Sequence, residues 1–204
     1  MTTDHNARLL AEFEIKSLLV RERFYRDTCQ WQNLRDSYHP DSSQTSIKIT
    51  WFAGDIDGFV AGSKKMSAGG TNATHTICPI EIHLNDERAV SVSTGSISIR
   101  FLHEDAEYDC ISYTRFVSRL QRIGSEWKML TLEAIYERDT ITPVIPSTSA
   151  AIFALEGARP SYRCISWCLQ RTGCQIDHEL PGQDRPDLVA GMMEDASVWL
   201  GKEE

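Results

Sequence analysis

A succession of long strand-forming segments joined by short turns is the feature that most constrains the fold of this chain. The segments are rich in Ile, Val, Thr, Ser and aromatic residues, which favour extended backbone. Polar triplets beginning at Asn85, Glu104 and Gly124 separate them, and such residues are typical of tight turns. The pattern predicts four strands, over 76–84, 89–103, 108–123 and 127–137.

The length of these strands predicts a curved antiparallel sheet. The segments 89–103 and 108–123 far exceed the usual strand of about 5–6 residues, and strands of that length bend or contain bulges. Gly95 lies within the second segment, where the absence of a side chain would permit a bend.

Helical periodicity precedes the strands. Apolar residues recur at helical spacing from Ala7 to about Cys29, and shorter helical patterns follow over 32–38 and up to about Met66. A short strand-like segment, 47–52, lies between those two patterns. Helices followed by a curved antiparallel sheet predict an α+β fold with the helices packed on one face.

The chain beyond the last strand is predicted to form an extension. Pro143 and Pro146 stiffen a linker, and helices are predicted over 161–170 and 185–200. We therefore expect one domain over residues 1–144, followed by a linker and helical extension over 145–204.

Composition and charge exclude several classes of partner. The 204 residues carry a formal net charge of −8, whereas nucleic acids and anionic membrane surfaces attract basic proteins. No apolar run approaches the roughly 20 residues that span a bilayer, and the N-terminus is polar, so we expect a cytoplasmic protein without a membrane partner. The spacing of Cys164 and Cys168 suits a structural zinc site poorly, so no metal is expected.

Asp27 and His75 are the candidate catalytic residues. Asp27 lies beside aromatic residues near the end of the first helix, where lost solvation would raise its proton affinity towards the working pH. His75 opens the first long strand, and histidine exchanges protons near neutral pH. A carboxylate beside an imidazole would fix its tautomer and raise its basicity. From the residues alone, Asp27 could equally be a helix-end surface carboxylate and His75 a structural histidine.

The order of these features resembles the SnoaL-like branch of the nuclear transport factor 2-like superfamily. The resemblance rests on Asp27 and Trp31, on the segment Thr74-His75-Thr76-Ile77, and on Trp127-Lys128, and it covers roughly residues 9–144. It implies a conical α+β barrel, a curved antiparallel sheet wrapped around N-terminal helices, here with a C-terminal helical extension. It also implies that Asp27 and His75 face each other inside the cone, with His75 as general base or acid.

The resemblance further implies a substrate site on the walls and at the mouth of the cone. The candidate substrate-binding residues are Tyr25, Trp51, Arg100, Thr114 and Phe116. Tyr25 could hydrogen-bond a carbonyl group, whereas Phe116 could also be ordinary core packing. The family's dehydratases carry a second His or Asp on the next strand, where this chain has Ser96 to Arg100. Arg100 could instead bind an enolate oxygen or a carboxylate.

These features predict a cofactor-free acid–base enzyme, a dehydratase, cyclase or isomerase of secondary metabolism that acts on a hydrophobic oxygenated small molecule. His75 would move a proton beside a carbonyl group, oriented by Asp27. The missing second acid or base favours the alternative, a non-catalytic ligand-binding or assembly module of the same fold. A third hypothesis, the structural small subunit of an aromatic-ring dioxygenase, would require a large iron-bearing partner. The resemblance also implies a homodimer or homotrimer.

Overall fold

The computed structural model describes residues 2–146 and 153–201. These ranges contain five α-helices and seven β-strands, joined by turns and loops. The helices are α1 (Thr2–Asp27), α2 (Trp31–Asp36), α3 (Ile56–Ala68), α4 (Arg163–Gln170) and α5 (Pro186–Leu200). The strands are β1 (Ser46–Ile49), β2 (Phe52–Gly54), β3 (Ala73–Asn85), β4 (Arg88–His103), β5 (Ala106–Ile123), β6 (Glu126–Met129) and β7 (Thr131–Pro143). The predicted α+β class is confirmed. No helix in these ranges is long and apolar enough to cross a membrane.

The strands form one curved sheet that does not close into a full barrel. Their order is β2-β1-β7-β5-β4-β3, with β6 also paired to β5. β1 runs parallel to β7, while β3, β4, β5 and β7 pair antiparallel, as the sequence predicts. Register shifts between Pro79 and Glu81 and between Tyr113 and Thr114 mark irregularities of the kind that bend long strands.

Gly95, where the sequence predicts a bend, lies where the backbone of β3 comes very close. The register shifts of β3 and β5 lie elsewhere, and Gly95 itself pairs regularly with Ile77 and Thr114. A Cβ atom at Gly95 would lie 2.3 Å from the carbonyl oxygen of Thr76. Glycine is therefore required because the backbone of β3 approaches too closely for any side chain.

The segment 127–137, predicted as one strand, is divided at Leu130. Met129 of β6 pairs with Leu120, whereas Glu133 of β7 pairs with Val117. Two residues of β5 separate those partners, but three residues separate Met129 from Glu133, so one extra residue must be accommodated. The division arises from this mismatch in register, which strand propensity does not reveal.

Helices α1 to α4 pack on the inner face of the sheet. Ile15 and Leu19 of α1, Phe59 of α3 and Ile165 of α4 belong to one buried cluster with inward residues of the sheet such as Phe116. Each of these side chains is at most 2% exposed. Burial of this apolar surface, at roughly 25 cal/mol per Å², is the main force that holds the helices inside the sheet.

Helix α5 of the extension packs on the opposite, outer face of the sheet, whereas the N-terminal helices share one face, as predicted. Its Met192, Ala196 and Leu200 form a second cluster with Val90 and Val117, which alternate with the inward residues of their strands. The extension thus has two roles: α4 completes the inner core, and α5 covers part of the outer sheet.

Candidate active site

Asp27 and His75 are joined by two hydrogen bonds through both oxygens of the carboxylate. Oδ1 of Asp27 lies 2.7 Å from Nδ1 of His75, and Oδ2 accepts a hydrogen bond of 2.6 Å from the backbone N–H of His75. The side chains of His75 and Asp27 are 7% and 14% exposed. Two-point attachment fixes the carboxylate and the imidazole relative to each other.

The fold brings these distant residues together where the first helix ends beside the edge of the sheet. Asp27 is the last residue of α1, and Cys29 follows with φ of 58°, a left-handed conformation typical of a helix end. His75 is the third residue of β3, which is an edge strand that packs against α1. The positions predicted for the two residues are those that the structure gives.

The hydrogen bond to Asp27 determines which nitrogen of His75 can act as a base. Because an ionised carboxylate can only accept, Nδ1 carries the proton and Nε2 keeps its lone pair. Burial lowers the pKa of His75 below its ordinary value of 6.5, although the hydrogen bond to Asp27 opposes this effect. The imidazole is therefore neutral at neutral pH, which is the protonation state that a general base requires.

His75 lines a small interior cavity with mainly apolar walls. The cavity measures about 30 Å³, which is room for about two water molecules. Its apolar walls are formed by Trp51, Phe59, Ile97, Phe116, Ile165 and Leu169. In such surroundings electrostatic interactions are stronger than in water, so few polar groups suffice to control a reaction.

Helix α4 forms part of the cavity wall. Ile165 and Leu169 supply part of the wall, and both are 2% exposed. Asp139 of β7 holds the beginning of the helix, because its Oδ2 accepts hydrogen bonds of 2.7 and 2.9 Å from the backbone N–H groups of Cys164 and Ile165. The extension beyond the predicted domain is thus part of the candidate site.

Two predicted substrate-binding residues, Trp51 and Phe116, line the cavity. Thr114 is 2% exposed, and its hydroxyl has no hydrogen-bond partner among the described residues, but it is not part of the cavity wall. At this point β5 changes its register against β7, between Tyr113 and Thr114.

The other two predicted residues lie away from the cavity. Tyr25 borders a surface groove with Trp127 and Lys128. Arg100 is exposed and makes a bidentate pair with Asp109, in which both hydrogen bonds measure 2.9 Å. The position of Arg100 follows from alternation along β4: Ile97 and Ile99 face the cavity, so Arg100 does not.

Sequence reasoning missed a group of buried charged residues on α1. Glu22, Arg23 and Arg26 are 1%, 3% and 5% exposed. Arg23 pairs with both carboxylate oxygens of Glu22, and the hydroxyl of Tyr38 donates a hydrogen bond of 2.9 Å to the same carboxylate. Arg23 and Arg26 both line the cavity beside His75.

The spacing of apolar residues along α1 contains the signal that would have found this group. Ile15 and Leu19 are buried, and the same helical face continues at Glu22, Arg23 and Arg26. By contrast, Leu9, Leu10, Phe13 and Phe24, which contributed to the predicted apolar pattern, are more than half exposed. A charged residue at the helical spacing of buried apolar residues is therefore a candidate buried functional residue, as a lone histidine is.

Comparison with known families identifies the domain. The profile of the SnoaL-like domain matches residues 7–133, more than half of the chain. The chain belongs to the SnoaL-like domain family. The match contains α1, Asp27 and His75, and it ends within β7, before α4 and α5.

Similar fungal proteins extend this SnoaL-like similarity into the C-terminal part. A PEP2-like protein of Fusarium vanettenii is 27% identical over 209 residues, which cover 96% of this chain and 88% of that protein. Pea pathogenicity protein 2 of the same fungus is 26% identical over 201 residues, covering 95% and 84%. Alignments of this length necessarily include most of the extension.

Solved structures support the same fold. A scytalone dehydratase-like protein of Novosphingobium aromaticivorans has a TM-score of 0.57 at 15% identity, covering 72% of this chain and 99% of its own. A hexachlorocyclohexane dehydrochlorinase of Novosphingobium barchaimii, LinA-type3, has a TM-score of 0.55 at 12% identity, covering 71% and 97%. At such low identity the likeness establishes the fold alone.

Proposed function

We propose that this SnoaL-like protein is an acid–base enzyme of the lyase or isomerase kind, acting on a small, hydrophobic, oxygenated molecule held in the cavity. The observation that carries the proposal is the two-point attachment of Asp27 to His75, on the wall of an apolar cavity. The names of the structural neighbours, a dehydratase and a dehydrochlorinase, are consistent with elimination chemistry on this fold. The residues need no cofactor for this chemistry.

In the proposed mechanism His75 is the general base and Asp27 orients it. Nε2 of His75 takes a proton from a carbon next to a carbonyl group, and the electrons of the C–H bond form an enolate. In a dehydration, the imidazolium then returns this proton to a departing β-hydroxyl group, which leaves as water while the double bond forms. In an isomerisation, the same proton returns to a different carbon. Asp27 stabilises the positive charge of the imidazolium during either sequence.

Entry of a substrate requires part of the wall to move, because a cavity of about 30 Å³ is far smaller than the roughly 300–1,000 Å³ of ordinary ligand pockets, and we infer that α4 moves. The hydrogen bonds from the backbone N–H groups of Cys164 and Ile165 to Asp139 would break, and Leu169 would leave the cavity wall. A cap of this kind would also exclude water after closure, which protects an enolate from premature protonation.

An exchange experiment tests the proposal without knowledge of the natural product. A panel of hydrophobic ketones and β-hydroxyketones is incubated with the protein in D2O, and the loss of the α-proton is followed by NMR. We expect exchange with the wild type and a loss of about 10²-fold or more in His75→Gln, the usual contribution of a general base. The matched control is His83→Gln, which changes a histidine that lies outside the cavity. Equal exchange in His75→Gln and wild type would refute the assignment.

The ionisation of the pair gives a second test, independent of any substrate. The pKa of His75 is measured by NMR in the wild type and in Asp27→Asn, with the His75 signal assigned from its absence in His75→Gln. Because Asp27 raises the pKa against the effect of burial, we expect a lower pKa in Asp27→Asn. An unchanged value would mean that the carboxylate does not act on the imidazole.

The alternative is a ligand-binding module without catalysis. The observation that favours it is the composition of the β4 wall, where Ile97 and Ile99 face the cavity and no acid or base of the described β4 residues lines it beside His75 of β3. The exchange experiment separates the two proposals. A compound that saturates the cavity but shows no exchange beyond the background would favour the binding module.

A further inference from the structure

Arg26 is a buried guanidinium with incomplete partners. It is 5% exposed, yet its one hydrogen bond among the described residues is a weak contact of 3.7 Å from Nη2 to the sulfur of Met66. The nearest carboxylate oxygen, Oδ1 of Asp27, lies 3.9 Å from Nη1, beyond hydrogen-bond distance. A buried cation that leaves donors unused costs stability, so a further acceptor is expected at this position.

Asp27 does not supply that acceptor in the observed geometry. Its Oδ1 faces Nδ1 of His75 and lies 3.9 Å from Nη1 of Arg26, and its Oδ2 accepts from the backbone N–H of His75. Glu22 binds Arg23 through both oxygens and makes no hydrogen bond to Arg26 among the described residues. Arg26 therefore has donors free for a further acceptor in the cavity that it lines.

The charges around the cavity permit an anion in that place. Arg23 and Arg26 are offset by Glu22 and Asp27, and His75 is neutral, so no excess negative charge opposes an incoming anion. Burial and the nearby charge of Arg23 lower the pKa of Arg26. A bound oxyanion would oppose both effects, because it would bring a negative charge and hydrogen-bond acceptors directly to the guanidinium.

We propose that Arg26 is the oxyanion-binding residue of this site, and that its substrate is a mostly apolar molecule whose carbonyl oxygen lies against the guanidinium while His75 acts on the neighbouring carbon. This proposal rests on the proposed function and identifies the group that would stabilise its enolate. Arg26 and His75 line the same cavity, so one small molecule can contact both. The negative charge that develops as His75 removes the proton would be neutralised by Arg26. This role was expected of Arg100, which is exposed and paired with Asp109.

Binding of simple carboxylates, which imitate an enolate oxygen, tests the assignment. Formate, acetate and benzoate are compared with formamide, acetamide and benzamide, and binding is followed by the NMR shift of the Trp51 indole N–H in the cavity wall. Formate is included because it is small enough to enter the cavity even if the aromatic ring of benzoate does not fit. We expect the wild type to prefer each carboxylate that enters over its amide by about tenfold or more, the value of a charge-assisted hydrogen bond.

Variants assign the preference to Arg26. Arg26→Met should lose it, and Arg26→Lys, which keeps the charge without the planar guanidinium, should retain part of it. The matched control, Arg100→Met, should keep the full preference, because Arg100 lies outside the cavity. Should Arg26→Met fail to fold, Arg26→Lys decides, and a preference undiminished from the wild type would overturn the proposal.

Two further outcomes also overturn it: equal binding of carboxylates and amides by the wild type, or no saturable binding of any carboxylate.

His75→Gln separates this proposal from the proposed function, since it should abolish proton exchange but leave the carboxylate preference intact. Loss of the preference in Arg26→Met, together with normal exchange in His75→Gln, would support the anion site and refute the catalytic role of His75.

Discussion

Two groups of charged residues on consecutive turns of α1 lie beside the same cavity, and they differ in how closely their cations are paired with carboxylates. In the first, Glu22 binds Arg23 through both oxygens and also accepts a hydrogen bond from Tyr38. In the second, Asp27 binds His75, and Arg26 is left with a thioether and a carboxylate oxygen at 3.9 Å. The first group is closed, whereas the second is open towards the cavity.

The difference teaches how to separate structural from functional charges in one site. The first group is neutralised within the protein, because Glu22 and Arg23 form a close ion pair, and its contribution is to hold α1 and Tyr38 in place. An open network keeps a buried cation and a basic nitrogen unsatisfied, which costs stability and persists where function requires it. Stability and binding should therefore respond in opposite ways to substitutions in the two groups.

The largest expected effect is on stability, from opening the closed group. Arg23→Met leaves Glu22 buried without its cation, and removal of one partner of a buried pair costs about 3–5 kcal/mol. The double variant Glu22→Leu, Arg23→Met removes both charges and should recover much of this loss. Urea denaturation measures both free energies of unfolding. The single variant Glu22→Leu is measured as well. If the loss of free energy in the double variant equals the sum of the losses in the two single variants, the two charges are not coupled.

A smaller effect of the opposite kind is expected for the open group. Arg26→Met replaces a buried cation with an apolar side chain of similar length; the nearest carboxylate oxygen lies 3.9 Å away, so the change breaks no close ion pair and removes the cost of burying the charge. We therefore expect a free energy of unfolding no lower than that of the wild type, in the same urea experiment. A loss as large as that of Arg23→Met would remove the distinction between the two groups.

The smallest expected effect is the dependence of stability on pH. The pKa of His75 in the folded protein lies below its ordinary value of 6.5, so the unfolded chain binds the proton more readily. The stability of the wild type should consequently fall as pH decreases through 6.5, and level off below the lowered pKa. His75→Gln should remove this part of the pH dependence. Parallel curves for the two proteins would mean that His75 does not titrate as the structure implies.

The C-terminal extension illustrates what periodicity can and cannot predict. Both of its helices lie close to where the sequence places them: 161–170 became α4 and 185–200 became α5. Periodicity did not predict that α4 would form part of the cavity wall or that α5 would cover the outer sheet. A helix pattern defines an apolar face, but the choice of surface for that face depends on the shape of the rest of the molecule. The expected boundary at residue 144 and the expected homodimer or homotrimer stay predictions.

The candidate site divides in the same manner. Asp27 and His75 were singled out by the resemblance to the SnoaL-like family, because the residues alone left a surface carboxylate and a structural histidine as alternatives; the structure brings the two side chains into contact. Trp51 and Phe116 were found by alternation and resemblance, and they line the cavity. Arg26 was missed because a charged residue on a helix is assumed to face solvent.

By itself, the sequence determined the order of helices and strands and the α+β class, whereas Asp27 and His75 were singled out through the family resemblance and their catalytic role stays a prediction. Local backbone preference and turn chemistry specify the elements, and these preferences act over a few residues. The tertiary structure decided the burial of Glu22, Arg23 and Arg26, the position of Arg100 outside the cavity and the contribution of α4 to the cavity wall. Those outcomes depend on which surfaces meet across the whole chain, and burial then determines the pKa and the reactivity of each charged group.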